Sequence, residues 1–210
     1  MRATQPSPPG EPPVRVRLLG AVEVVGVDGR SVPAGPPLQQ AVLACLAGEP
    51  GRVWSSAQLV DAVWGEQPPA RPEASLSTYV WGLRRLLGAD AIVRTSTGGY
   101  VLQVDGPGSD VVAARDAGQE ASRLVSTGEP ERAAEVLAAA LGAWRAEALL
   151  TVPGPGADLQ RTGLHALRVS LSEQAGRSAA RPAAARGRRG RRAGRRARRP
   201  AAGAGRRACW

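Results

Sequence analysis

The chain has 210 residues, a formal net charge of +10, two cysteines, one histidine and no lysine. Two cysteines and one histidine exclude a disulfide framework and any ordinary zinc-ligand spacing. Residues 1–175 carry 15 Arg against 18 Asp and Glu, a net of −3, whereas residues 176–210 carry 13 Arg and no acid. The basicity therefore belongs to the tail, and the overall charge says nothing about the partner of the rest.

The opening "MRATQPSPPGEPP" has no apolar run, so it is not a signal peptide, and residues 1–13 are expected to be disordered. No segment approaches the roughly 18 apolar residues of a membrane span, so the expected location is cytoplasmic, with no membrane partner. "VRVRLLGAVEVVG" alternates Val14, Val16 and Leu18 with Arg15 and Arg17, and an Asp28-Gly29 turn follows. That pattern predicts a short antiparallel sheet of two or three strands.

Three helices are expected next. "PPLQQAVLACLAGEPG" is opened by proline and closed at Gly48 or Gly51, with Cys45 as a small buried thiol. In "SSAQLVDAVWG", Ser55 and Gln58 stand in capping-box register, and Leu59, Val63 and Trp64 form the apolar side. The third, "LSTYVWGLRRLLG", follows the loop "EQPPARP", with Pro72 opening it and Gly88 closing it. At about 100° per residue, Leu76, Tyr79, Val80, Leu83, Leu86 and Leu87 share one face. Ser77, Thr78, Trp81, Arg84 and Arg85 share the other. "AIVRTSTGGYVLQV" then reads as a hairpin around Gly98 and Gly99, both given to φ > 0.

Strands, three helices and a hairpin make a winged helix-turn-helix over residues 14–105. In that arrangement the third helix enters the major groove of DNA and the hairpin touches the neighbouring backbone. Arg84, central on the outer face, is the expected phosphate or base-edge contact. Arg85, nearer the flank, is assigned to phosphate. Ser77, Thr78, Arg94 and Thr95 complete the DNA-facing set together with Trp81, which has two readings, a wedge against sugars or packing beneath the hairpin, the second preferred. Tyr79 is expected to pack in the core. Residues 14–105 contain 8 Arg and 8 acids, so binding is expected to be weak and salt-sensitive.

From Asp110 the texture becomes Ala-rich and amphipathic. Two helices broken at "STGEP" and a third over "ADLQRTGLHALRVSLSEQ" read as the start of a tetratricopeptide-like stack over residues 108–175, incomplete at about one and a half repeats. Residues 176–210 are a low-complexity Arg/Ala/Gly tail, expected to be disordered. A frameshift near Ala175 in a GC-rich gene is the expected origin of its letters. His165 has no constellation around it. No nucleophile–base pair, metal cluster or phosphate loop is present, so neither an enzyme nor a cofactor is expected.

"VRVRLLGAVEV", "AGPPLQQAVLACLA", "SSAQLVDAVWGEQPPARPEASLSTYVWGLRRLLG" and "TGGYVLQV", in this order, resemble the Streptomyces antibiotic regulatory protein family. The similarity covers about residues 14–173. It implies an OmpR/PhoB-type winged helix followed by a bacterial transcriptional activation domain, here apparently truncated. It also implies a nucleoid-associated activator acting on direct-repeat DNA, contact with RNA polymerase through the loop Gly65 to Arg71, support for a homodimer, and control of a secondary-metabolite cluster. Leu38, Gln40, Ser77, Trp81 and Gly82 depart from the family's usual residues, which removes several candidate DNA contacts. Three other readings stand beside this one: a truncated, non-activating remnant, a winged helix that binds a protein partner, and a tail that grips nucleic acid without reading sequence.

Overall fold

Short alternating segments and proline-opened apolar runs set the order of elements in the computed structural model, which describes residues 16–26, 29–103 and 108–180. The expectations for residues 1–15 and 181–210, and for Asp28, lie outside the described residues. Strands β1 (Val16–Arg17), β2 (Glu23–Val25) and β3 (Ser31–Pro33) form an antiparallel sheet in that order. Its register pairs Val16 with Val24 and Val24 with Val32.

Helix α1 (Pro37–Gly48) opens with proline at its first turn, and Ala41 through Gly48 are all buried. A helix apolar all round must be covered all round. Here α2, α3, β5 and α6 all pack on it. Helix α2 (Ser56–Trp64) starts on the capping box expected from Ser55 and Gln58. The Ser55 hydroxyl accepts from Gln58 N at 3.1 Å, and Gln58 Oε1 accepts from Ser55 N at 3.0 Å. Helix α3 (Pro72–Leu87) buries Leu76, Val80, Leu83 and Leu87 and ends at Gly88, whose φ is 106°. Tyr79 is half-buried and stacks on Trp64, ring centroids 6.2 Å apart. Leu86, assigned to the apolar face, is instead 37% exposed, while Leu83 and Leu87 are buried, so the core-facing stripe of α3 is narrower than the wheel drew it.

The hairpin β4 (Ile92–Arg94) and β5 (Tyr100–Leu102) follows, with Val93 opposite Val101. Trp54, from the α1–α2 loop, adds to its edge through two backbone bonds of 2.8 Å with Tyr100. That addition corrects the reading of the two glycines. Gly98 takes φ 82° in the turn, but Gly99 does not have positive φ. A Cβ at Gly99 would stand 2.6 Å from the Trp54 carbonyl, so close backbone approach is what position 99 requires.

The second half comprises α4 (Asp110–Thr127), α5 (Pro130–Gly142) and α6 (Pro155–Ala179). Ser109 caps α4, and Gly128 in the left-handed region closes it before Pro130 opens α5. Helix α6 continues to Ala179, four residues beyond the boundary expected at Ala175.

The two halves share one hydrophobic core, which runs from Val16 and Leu18 through α1 to Leu164 and Leu171 of α6. Its polar fastener is Asp110, almost wholly buried at the start of α4. The Asp110 carboxylate accepts from Leu18 N at 2.7 Å and Leu19 N at 3.1 Å. Burial pushes its pKa up, opposed by those two N–H groups and by Arg145, whose guanidinium lies 3.9 Å away. Arg145 N donates in turn to Leu19 O at 3.0 Å, and Gln160 Nε2 to Ala44 O at 3.0 Å.

Cys45 sits in the middle of α1, where burial pushes its thiol up to about 12. Since the thiolate is the nucleophile, the folded chain should hold this thiol inert well above the pH at which free cysteine reacts. In a Cys209→Ser background, iodoacetamide labelling of the native protein is expected to stay near zero from pH 7 to 9. Labelling should become stoichiometric in denaturant. Rapid native labelling would contradict the burial of α1.

Candidate nucleic-acid interface

The outward face of α3 follows from what its inward face must do. Leu76, Val80, Leu83 and Leu87 anchor on the core, so residues displaced by half a turn meet solvent. Helix α3 packs on α1 where the Gln39 side chain meets Gly82. Buried Gln39 donates from Nε2 to Ala34 O at 2.7 Å, and its amide oxygen lies where a Cβ on Gly82 would stand. Gly82, which costs about 1 kcal/mol in helix propensity, leaves the room that the buried Gln39 amide fills.

The candidate residues then separate. Ser77, Thr78, Trp81 and Arg85 are exposed. Trp81 is 60% exposed, which corrects the preference for packing beneath the hairpin: the hairpin meets α3 at Arg84, and the indole faces outward. The Arg85 guanidinium instead lies over it, 4.9 Å from the ring centroid. A cation stacked on an exposed indole loses conformational freedom in advance and stays available to an anion.

Arg84 is not the centre of the open face. Half-buried, it donates from Nε to Ile92 O at 2.8 Å and so ties α3 to β4. A helical wheel sees only the angle about one axis and cannot show that a strand edge runs beside it. The two Nη groups of Arg84 have no partner among the described residues. Thr78 donates to Ala74 O at 3.0 Å within its own helix. Arg94 is exposed at the end of β4, its guanidinium 6.0 Å from the Tyr100 ring. Thr95 is committed to the turn: its hydroxyl accepts from Gly99 N at 3.0 Å and shares a 3.0 Å hydrogen bond with Thr97. Gln40, a departure from the family's arginine, donates to Gly35 O at 2.7 Å. Sequence reasoning missed Gln39 and Asp110, since neither belongs to a recognisable pattern.

Among the described residues no group of His, Cys, Asp and Glu could hold a metal ion, and no helix is long and apolar enough to cross a membrane. The family described as transcriptional regulatory protein, C terminal, matches residues 33–102, which span α1 through β5. The bacterial transcriptional activator domain matches residues 109–194, from the cap of α4 into the arginine-rich stretch. Among curated relatives, regulatory protein AfsR of Streptomyces griseus is 39% identical over 140 residues, which are 67% of this chain and 14% of that protein. Regulatory protein DnrI of Streptomyces peucetius is 34% identical over 66% of this chain and 54% of its own length. The structure of Mycobacterium tuberculosis EmbR in complex with a low-affinity phosphopeptide superposes with a TM-score of 0.71 at 28% identity, covering 78% of this chain and 44% of that one. The chain thus spans roughly a seventh to a half of these relatives' length. A three-helix unit with a hairpin wing, joined to activator-domain helices and matched by such regulators, places this chain in the Streptomyces antibiotic regulatory protein family of DNA-binding transcriptional regulators.

Proposed function

We propose that the chain is a sequence-specific activator that docks α3 in the major groove of direct-repeat operators, with Arg85 and Trp81 leading. The observation that carries this reading is the exposed Trp81–Arg85 stack on the helix that the winged-helix arrangement presents to DNA. Arg85 supplies a phosphate or base-edge contact, Ser77 and Thr78 supply hydroxyls, and Arg94 meets the backbone from the wing. Arg84 supports by fixing the wing to the helix, with its Nη groups turned to phosphate. Thr95 holds the turn that carries Arg94.

The loop Gly65 to Arg71 and α4–α6 are the surfaces that meet RNA polymerase in this reading, and two copies occupy a direct repeat in the nucleoid. The regulated genes are those of a secondary-metabolite cluster. With 8 Arg balanced by 8 acids over residues 14–105, affinity rests on few phosphate contacts and falls with salt. Genome-wide footprinting of the tagged protein tests the reading, followed by run-off transcription on the sites found. Enrichment at direct repeats upstream of biosynthetic genes, with transcription raised by added protein, is the expected result. Uniform occupancy without preferred sites would overturn it.

A further inference from the structure

A cleft of about 660 Å³ opens between the winged helix and the helical half, walled by the α1–α2 loop and α2 on one side and by α4 and α6 on the other. Its size falls within the range of small-molecule sites. Ala62, Val111, Pro155, Leu159 and Leu164 make its surface largely apolar. Three buried side-chain polar atoms have no hydrogen-bond partner among the described residues, and two of them belong to residues that line this cleft from opposite sides. They are the donor Trp54 Nε1 and the acceptor Gln160 Oε1. Proteins seldom leave such atoms unpaired, and both are closed to solvent here, so a partner in the cleft reaches them only when a neighbouring side chain gives way.

The charged groups narrow the chemistry. Arg52 lies over the Trp54 ring, 4.2 Å from its centroid, and is paired with Glu49 at 2.8 Å. Arg115 donates from Nη1 to Gly48 O at 2.8 Å, and its remaining N–H groups have no partner among the described residues. Asp61, on the opposite wall, likewise has no ion pair among them.

We propose that this cleft binds a flat, largely apolar small molecule carrying one anionic group and one hydrogen-bond donor. The flat body takes the place of Arg52 against the Trp54 ring. The anion sits on Arg115, and the donor reaches Asp61. This inference does not depend on DNA binding.

The probe is 1-anilinonaphthalene-8-sulfonate, a flat aromatic anion with one N–H, titrated into the full chain by fluorescence. One saturable site per chain is expected. Gly163 lines the cleft, and a Cβ there meets nothing within 4 Å. Gly163→Phe should therefore fill the space without lowering Tm and weaken dye binding at least about ten-fold. Arg115→Gln should weaken the anionic dye by about ten-fold and leave uncharged N-phenyl-1-naphthylamine unaffected. Unsaturable binding, or unchanged affinity in Gly163→Phe, would place the dye elsewhere, including on the 13 arginines of residues 176–210, and overturn the site. An equal loss of both dyes in Arg115→Gln would overturn the anion's assignment.

Discussion

Arg85→Ala is expected to weaken operator binding by about ten- to a hundred-fold while leaving the unfolding free energy within about 0.5 kcal/mol of the wild type. The side chain is exposed, with its guanidinium over the Trp81 ring, so its removal opens no cavity. The salt dependence identifies the contact. If Arg85 meets a phosphate, the slope of log K against log salt should fall by about 0.9. If it reads a base edge, the slope holds and discrimination relaxes at one operator position. Trp81→Ala should reproduce part of the loss, because the guanidinium then has no ring to rest on. Arg84→Ala should behave differently: it strips Ile92 O of its donor and lowers stability together with affinity. Fluorescence anisotropy on a labelled operator, with denaturant unfolding of each variant, checks all three. An affinity indifferent to Arg85 would remove the leading contact of the proposal.

The second large effect concerns the joint between the halves. Asp110→Ala should cost about 2–5 kcal/mol, because Leu18 N–H and Leu19 N–H are left buried and unpaired at roughly 1–3 kcal/mol each. Arg145 would also lose the acid beside it and, among the described residues, keep Glu23 alone as an ion-pair partner, at 3.9 Å. Asp110→Asn should fall between, since its amide can accept from one of the two N–H groups but turns a donor toward the other. Against a total stability of about 5–15 kcal/mol, such a loss is severe. Urea unfolding followed by tryptophan fluorescence measures it. A loss below about 0.5 kcal/mol, within the range of ordinary surface changes, would mean that the carboxylate does not hold the halves together.

Local signals were legible where their chemistry is local. Pro37, Pro72 and Pro130 each open a helix, Ser55 and Gln58 close a capping box across three residues, and the Gly98 turn makes the hairpin. These depend on near neighbours in sequence, so a linear reading suffices. Asp110 acts on residues 91 and 92 positions away, and no spacing rule reaches that far. The burial of α1 had a signal, the absence of any polar side chain from Ala41 to Gly48, but it points to being covered without saying by what. Arg84 and Trp81 exchanged places with expectation for a related reason. The wheel placed both correctly on the outer half of α3, but only the position of β4 decides which is shielded.

That α3 carries its outer face into the major groove is tested most directly by tethering. With Cys45 buried and Cys209 replaced by serine, Ser77→Cys offers one reactive thiol at the exposed N-terminal half of α3. An iron chelate attached there should cleave both DNA strands inside the operator. The same chelate on Ser170→Cys, exposed on α6, should leave the operator intact. Cleavage from Ser170→Cys and none from Ser77→Cys would mean that another surface of the molecule faces DNA.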